Sequence, residues 1–317
     1  ITAATLSDVD AIHPGYGFLS ENKRFAEIIE EHDIKFIGPK SEHIEMMGNK
    51  AEAKKLVSEL GISCIPGATL HHENIQTALE IALRIGFPLM IKAALGGGGK
   101  GMRLVNKAEG FSTALKLAKS ESLNAFGSDQ IILERAIPSP RHIEIQIFGD
   151  HHGNIVHLGE RDCSIQRRHQ KIIEEAPSPA INEPLRAKLG KAAVSIAKKI
   201  SYEGAGTVEF LLDKNKNFYF LEMNTRLQVE HPVTESIFDL DLVYLQFLVA
   251  DQQDLSFQKI KPQHKGHAIE VRLYAESPEK EFLPCTGKLY VWDINDGEGI
   301  RIDTGVTKGS KVTCTSI

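Results

Sequence analysis

Between Phe218 and His231 the chain reads FYFLEMNTRLQVEH, and every second residue from Glu222 is polar: Glu222, Asn224, Arg226, Gln228 and Glu230. The residues between them are Met223, Thr225, Leu227 and Val229. Side chains of an extended strand alternate between its two faces. Read as a strand, the segment lines its ionic and amide groups along one face over a mostly apolar back. A structural strand usually turns Lys, Thr and Ser to water. A row of Glu, Asn, Arg, Gln and Glu instead suits a site that holds a metal and an anion together.

The preceding segment adds a second carboxylate. Thr207–Leu212 (TVEFLL) and Phe218–Met223 (FYFLEM) are β-prone runs around Asp213–Asn217, which reads as a hairpin turn. Pairing outward from Asn215 puts Glu209 beside Glu222 to within one residue. Like charges directly opposite each other destabilise a sheet. At roughly 5 Å and an effective dielectric of about 20 the repulsion is about 3 kcal/mol. A bridging cation relieves it, and hard oxygen ligands suit Mg²⁺ or Mn²⁺. The alternative is a one-residue slip that turns the two glutamates to opposite faces.

Other residues invite chemistry. Gly96–Gly101 contains a formal GxGxxG, but it leads into the strand-like MRLV and not into a helix, so it is not a dinucleotide fingerprint. Met102 stands where a P-loop needs Ser or Thr. What remains is a glycine hairpin whose N–H groups, with Lys100, could lie over phosphates; a mobile surface loop is the other reading. Lys92 interrupts the apolar run FPLMIKA and calls for an anionic partner unless it reaches solvent from an edge strand. Arg161–Lys171 (RDCSIQRRHQK) is densely cationic, either a surface patch or a pocket for a small anion and a nucleotide. Arg226 beside Gln228 and Glu230 can hold a planar oxyanion, with Glu230 placed as a base. Arg272, inside AIEVRLYAE, could serve a core-edge ion pair or stabilise a developing anion.

These groups need a scaffold. Val9–Ile12 reads as a strand, Arg24–Glu31 as a helix and Lys35–Ile37 as a strand, the tail of an α/β unit with a parallel sheet. Lys50–Leu60, closed by Gly61, and Asn74–Ile85, closed by Gly86, read as helices. From Phe87 the texture turns to hairpins: Pro88–Ala93 with Met102–Val105, then His142–Phe148 with Ile155–Gly159. Pro184–Ile200 and Ile237–Val249 read as helices, QQDLSFQKIKPQHKG after Ala250 as a linker, and Ala268–Tyr274 as the start of a β-rich segment.

The 317 residues can build a large core. A net charge of −5 argues against a phosphate-driven nucleic-acid binder. No apolar run approaches the roughly 20 residues that span a bilayer. Cys64, Cys163, Cys285 and Cys314 lie far apart with no CxxC, which fits a reducing compartment and neither a zinc site nor a disulfide framework. The chain opens on Ile1 in what reads as mid-domain, as a fragment would.

With these residues in view, the chain resembles the biotin carboxylase component of biotin-dependent carboxylases, an ATP-grasp enzyme. The matching segments are HPGYGFLSEN (His13–Asn22), FIGP (Phe36–Pro39), MGNKAEAK (Met47–Lys54), KAALGGGGKGMR (Lys92–Arg103), PRHIEIQIFGD (Pro140–Asp150), GERDCSIQRRHQKIIEEAP (Gly159–Pro177) and EMNTRLQVEHPVTE (Glu222–Glu235). The resemblance implies an α/β (α+β) chain: an ATP-grasp fold with the remnant of an N-terminal parallel-sheet domain and the start of a C-terminal β-rich domain. It implies a partial N-terminal domain over 1–45, the ATP-grasp domain over 46–252 with a glycine-loop lid over 65–136, and a partial C-terminal domain over 266–317.

Carried over position by position, Lys50, Lys92, Glu134, His142, Gln166 and His169 would be ATP contacts, with the backbone near Ile137 meeting adenine. Gly97, Gly98, Gly99, Lys100 and Gly101 would form the lid loop on the phosphates. Glu209 and Glu222 would serve both nucleotide and Mg²⁺ (or Mn²⁺), with Asn224 as a third metal ligand. Lys171, Arg226, Gln228, Val229 and Glu230 would bind bicarbonate, with Glu230 as general base. Arg272 would stabilise the enolate of biotin, the carboxyl acceptor, and Tyr16 and Gly17 would touch biotin.

Implied partners are a biotin carrier protein or domain and a carboxyltransferase, with a homodimer at full length, and neither nucleic acid nor membrane. The implied compartment is the cytoplasm, or a mitochondrial or plastid matrix. The chain departs from the family pattern at its ends: the glycine-rich first strand–turn–helix is absent, and Lys311–Ile317 diverges. Two other readings stand beside this one. A carbamoyl-phosphate synthetase shares the carboxyphosphate step, but HPGYGFLSEN with RDCSIQRRHQK argues against it. A truncated product that binds nucleotide without turnover is the other.

Overall fold

The structure is a computed structural model that describes residues 1–17, 19–71, 73–94, 102–255 and 264–313. Four short elements open it: α1 (Thr2–Leu6), β1 (Ala11–Ile12), α2 (Lys23–Glu30) and β2 (Lys35–Phe36). The two strands pair in parallel, Ala11 with Lys35 and Ile12 with Phe36, as the α/β alternation predicts. Next come α3 (Ser41–Gly48) and α4 (Lys50–Glu59). Asn49 separates them, and its side chain accepts hydrogen bonds from the Ala51 and Glu52 amides, satisfying donors that a helix start leaves open.

The helix cap matters for the site because it fixes Lys50 at the first position of α4. Nearby, the α3 residue His43 is buried with its ring 5.6 Å from that of Tyr202. Burial, and behind it the charge of Lys40, lowers the His43 pKa more than Glu42 and Glu203 raise it. A histidine kept neutral by the fold takes up a proton on unfolding. Stability is therefore lost as pH falls from the ordinary value of 6.5 toward the folded one. Urea titrations from pH 8 to 5 should show His43→Phe gaining on the wild type below about pH 6.5. A constant gap would contradict this.

A small sheet follows. It contains β3 (Gly67–Leu70), β4 (Leu89–Ala93), β5 (Arg103–Val105) and β6 (Ile131–Arg135), backed by α5 (Ile75–Ile85) and α6 (Phe111–Phe126). The order is β3-β6-β4-β5, antiparallel throughout. Leu89 and Ile91 of β4 alternate inward onto Phe111 and Leu115, which leaves Lys92 on the other face.

The main sheet runs β11-β10-β7-β8-β9-β12. Its strands are β7 (Arg141–Gly149), β8 (Ile155–Arg167), β9 (Gln170–Ala176), β10 (Gly204–Leu212), β11 (Phe218–Asn224) and β12 (Ala268–Val271). One face carries Ile143, Ile145, Ile147, Val208, Phe210 and Phe220. These pack on Ala53 and Val57 of α4 and on Leu189, Ala193 and Ile196 of α7 (Glu183–Lys199). The other face is polar and buried, with Glu144, Gln146, Thr207 and Glu209 all under 4% exposed.

Three sequence expectations are corrected here. The strand at Glu222 stops at Asn224 and does not run on to Glu230; Thr225 donates its amide to the Glu21 carboxylate in place of a strand partner. The cationic stretch from Arg161 is not simply a surface patch: it forms the end of β8 and the start of β9, with Arg161 fully buried and Arg168, His169 and Gln170 exposed. The helix expected over Ile237–Val249 is two helices, α8 (His231–Phe238) and α9 (Leu242–Ala250). Asp239 takes a left-handed φ of 54° between them, and Asp241 caps α9 by accepting from the Tyr244 amide.

By its internal contacts the chain forms two compact units, Ile1–Glu270 and Val271–Ile317. The second holds two short antiparallel pairs, Glu276–Ser277 with Leu283–Pro284 and Gly287–Lys288 with Lys311–Val312. Among the described residues no helix is long and apolar enough to cross a membrane.

Candidate active site

Strand register assembles the site. Glu222 of β11 lies opposite Glu209 of β10, Glu209 opposite Glu144 of β7, and Glu144 opposite Arg161 of β8. The pairing of Glu209 with Glu222 expected from the hairpin is present, and a bulge between Glu209 and Phe210 produces it. Without the extra residue, the register that pairs Phe210 with Phe220 would bring Leu221 opposite Glu209.

Glu144, Glu209 and Glu230 are buried together and repel unless cations share them. The Lys171 ammonium donates to Glu144, to Glu209 at 3.1 Å and to Glu230 at 2.6 Å. His142 places Nε2 at 2.8 Å from Glu209 and 3.2 Å from Glu144. Burial opposes the charged imidazole, but Glu209 and Glu144 outweigh it and raise its pKa to about 10. The same balance holds Lys171 well above the ordinary lysine value against burial, through Glu144, Glu209 and Glu230. Glu209 lies well below the usual carboxylate range; Lys171 and His142 overcome its burial.

Beneath this row lies Arg161. Its Nη1 donates to Gln146 at 2.7 Å and Thr234 at 3.0 Å. Its Nη2 donates to Gln228 at 2.7 Å and Thr207 at 3.1 Å, and faces Glu144 at 3.4 Å. One guanidinium thus ties the three central strands to α8 and to the loop that carries Gln228. Neither Arg161 nor Glu144 stands out in the sequence reading. The signal for Glu144 was there: RHIEIQIF alternates strictly, and its polar set is His142, Glu144 and Gln146.

The loop 225–230 presents Arg226, Gln228, Val229 and Glu230. Gln228 Nε2 donates to Glu209 at 2.9 Å, and Glu230 caps α8 with its side chain buried against Lys171. Arg226 Nη2 donates to Asn224 Oδ1 at 3.2 Å, and its Nε donates to Glu21 at 2.9 Å. Glu21 also accepts from the Thr225 amide at 3.0 Å, so a residue 205 positions upstream fixes the arginine from behind. The sequence reading missed it as well. A partly exposed charged contact of this kind is worth about 1 kcal/mol, or about fivefold. Glu21→Gln should therefore weaken the hold of Arg226 on an anionic ligand about fivefold and leave the binding of a ligand away from Arg226 within twofold. Equal shifts in both would refute a positioning role.

A second cationic cluster lies where α4 meets the small sheet. Lys50 Nζ is 3.6 Å from Glu222, while Lys54 and Lys92 both ion-pair with the buried carboxylate of Glu134. Lys92 was expected to need an anion, and in this structure Glu134 supplies it. Burial lowers Lys54 to about 8; burial with repulsion from Lys54 and Lys50 lowers Lys92 to about 7.

Glu209 and Glu222, opposite each other on adjacent strands, are hard oxygen donors of the kind that suits Mg²⁺ or Mn²⁺, while Asn224 donates its Nδ2 to Glu209 at 2.8 Å and accepts from Arg226 through Oδ1. Two other clusters bring ligand-type atoms together, His142–Glu144–Glu209 and Glu144–Cys163–Glu230. Neither suits a metal as it stands. Against its burial, Glu209 and Glu144 raise the His142 pKa, which favours the protonated ring over a ligand, and burial and Glu144 push the Cys163 thiol well up.

The remaining expected residues are less concentrated. Gln166 Nε2 lies 3.2 Å from His142 Nδ1, and His169 sits in the β8–β9 turn with a φ of 66°. Ile137 lines a cavity of about 470 Å³ with Pro66, Arg135 and Tyr219, which none of the charged site residues above borders. Tyr16 is exposed, with its ring 5.9 Å from that of His231, and Gly17 is exposed beside it. Arg272 follows β12 and belongs to the second compact unit. Gly97, Gly98, Gly99, Lys100 and Gly101 lie outside the described residues.

Comparison with known proteins follows the same division. Residues 1–44 match the family described as "Biotin carboxylase, N-terminal domain", 49–258 "Carbamoyl-phosphate synthase L chain, ATP binding domain", and 270–315 "Biotin carboxylase C-terminal domain". The chain is 50% identical over 306 residues to a biotin carboxylase of Nostoc sp., covering 96% of this chain and 68% of that protein. It is 48% identical over 314 residues to the mitochondrial methylcrotonoyl-CoA carboxylase subunit alpha of Dictyostelium discoideum, covering 99% of this chain but 45% of that protein. The chain thus spans less than half of that longer relative. Among solved structures, a biotin carboxylase–β,γ-ATP complex from Campylobacter jejuni is similar with a TM-score of 0.94 at 44% identity, over 99% of this chain and 70% of that one. The biotin carboxylase domain dimer of Hydrogenobacter thermophilus 2-oxoglutarate carboxylase, solved with MgADP, ADP and bicarbonate, gives 0.94 at 43%, over 99% and 69%.

Proposed function

The chain belongs to the biotin carboxylase family, and on that premise we propose that it uses ATP and bicarbonate to carboxylate biotin, releasing ADP and phosphate. The observation that carries the reading is convergence. Lys171 and Gln228 both donate to the Glu209 carboxylate, Lys171 also donates to Glu230, and Arg226 lies on the loop of Gln228 and Glu230, fixed from behind.

Bicarbonate would sit against Arg226, Lys171, Gln228 and the Val229 backbone. Glu230 takes its proton, and the freed oxygen attacks the γ-phosphorus of ATP, with ADP leaving. The carboxyphosphate breaks down to CO₂ and phosphate. Phosphate takes the N1 proton of biotin, Arg272 holds the enolate oxygen, and N1 bonds to CO₂. Lys50, Lys92, Glu134, Ile137, His142, Gln166, His169 and the glycine loop Gly97–Gly101 would bind the nucleotide, and Tyr16 and Gly17 the biotin. Mg²⁺ on Glu209, Glu222 and Asn224 would neutralise charge on the phosphoryl oxygens.

The domains we propose are 1–45, 46–252 with its lid at 65–136, and 266–317. The proposed partners are a biotin carrier and a carboxyltransferase, with a homodimer of the longer protein, in cytoplasm or an organelle matrix. The test is ADP release from MgATP and bicarbonate, with and without free biotin. It would be run on this chain and on a version extended at both ends to its relatives' length. Biotin-stimulated release by the extended chain is expected; no release from either would end the reading.

A further inference from the structure

We propose that Lys54 is a positioning residue of the nucleotide site, the counter-ion that holds Glu134 when a bound phosphate draws Lys92 away. The inference rests on the nucleotide reading above, and its starting point is a count of charges. The Glu134 side chain is 4% exposed and pairs with two ammonium groups, Lys54 through one oxygen and Lys92 through the other. One cation is enough to compensate one buried carboxylate. The second is available to a ligand.

The two lysines are mounted differently. Lys92 sits on β4 in the same small sheet as Glu134 on β6, where Met90 is the direct strand partner of Glu134. Lys54 comes from α4, whose Ala53 and Val57 pack into the core of the main sheet. It lies one turn beyond Lys50, so a single helix face offers one ammonium to Glu222 and the next to Glu134. Among the described residues Lys54 is the cation by which the main-sheet body holds the carboxylate of the small sheet. When Lys92 turns to a phosphate, Glu134 keeps a partner only through Lys54. Without it, binding would leave a buried carboxylate with no cation, which is strongly unfavourable.

The test is calorimetric binding of the Mg²⁺ complex of the non-hydrolysable ATP analogue with a β,γ-imido bridge, beside adenosine followed by ligand-observed NMR. Lys54→Met should weaken the imido analogue tenfold or more while adenosine, which leaves Lys92 on Glu134, stays within about twofold. Lys54→Arg should bind near wild type. In a Glu134→Gln background, Lys54→Met should change the affinity for the imido analogue less than about threefold, because a neutral amide needs no counter-ion. Wild-type affinity in Lys54→Met, equal losses for both ligands, or a tenfold loss from Lys54→Met in the Glu134→Gln background as well would each overturn the inference. A wild-type chain that binds neither ligand would overturn the nucleotide reading together with it.

Discussion

Glu230→Gln is expected to cut bicarbonate-dependent ADP release by about two to four orders of magnitude, the usual contribution of a general base. The amide keeps the shape and can still accept from Lys171, which lies 2.6 Å from the Glu230 carboxylate, but it cannot take a proton from bicarbonate. The proposed nucleotide contacts Lys50, Lys92 and Glu134 lie on other elements, α4, β4 and β6. Affinity for MgATP should therefore change less than about threefold, since no charge pair at those contacts is altered. Steady-state rates at varied bicarbonate, beside equilibrium nucleotide binding, separate the two. Turnover at the wild-type level would remove Glu230 from the mechanism, and an equal loss of nucleotide binding would make it structural.

Lys171→Met should have the largest effect on stability. The ammonium is 15% exposed and serves Glu144, Glu209 and Glu230 at once. Methionine fills the same space, so the lost free energy would come from leaving carboxylates short of a cation. Removing one partner of a buried ion pair costs about 3–5 kcal/mol. His142 and Arg161 remain, which keeps the loss near that range and does not multiply it by three.

The sign of the pH dependence follows. In the wild type the depressed Glu209 contributes above its ordinary value of 4.5 and loses that contribution as pH falls through its lower folded value. The raised His142 contributes below 6.5 and loses its contribution as pH rises through about 10. Both are fully present between those ordinary values. In Lys171→Met a carboxylate short of a cation binds protons more readily in the fold, so the deficit should shrink as pH is lowered from 8 to 5. Adding Glu144→Gln should recover part of it. Urea unfolding at several pH values tests this, and a deficit under about 1 kcal/mol would show that water reaches the cluster.

Local signals were read well. The Lys50–Glu59 and Glu183–Lys199 helices, the parallel start and the hairpins of both sheets follow from caps, glycine stops and apolar periodicity. Non-local contacts defeated the reading elsewhere. The alternation from Glu222 to Glu230 is genuine in sequence, yet the backbone leaves the sheet at Thr225 because its amide bonds to Glu21. The alternation that does line the site is His142–Glu144–Gln146, and it resembles an ordinary half-polar strand until β8 and β10 flank it with Arg161 and Glu209.

Arg161 read as one charge among many in RDCSIQRRHQK. Only the partners gathered from four other segments explain why it can be buried. From the turn the glutamate pair was legible only to within one residue, since regular pairing past Phe210–Phe220 leads to Leu221 and the bulge moves Glu209 on to Glu222. The break between α8 and α9 had a local signal in FDLDL, where Asp241 is a capping residue, but the apolar run around it masked the stop.

The proposed chemistry turns on bicarbonate attacking the γ-phosphorus before any carbon reaches biotin. Oxygen-18 transfer measures that step directly. Bicarbonate labelled in all its oxygens is mixed with MgATP, biotin and enzyme in ordinary water, and the released phosphate is read by mass spectrometry early in the reaction. One labelled oxygen in each phosphate is the predicted result, because the attacking bicarbonate oxygen stays on phosphorus when CO₂ departs. Unlabelled phosphate, released at the same rate as ADP, would mean that water attacks ATP and that the cluster around Glu230 does not activate bicarbonate.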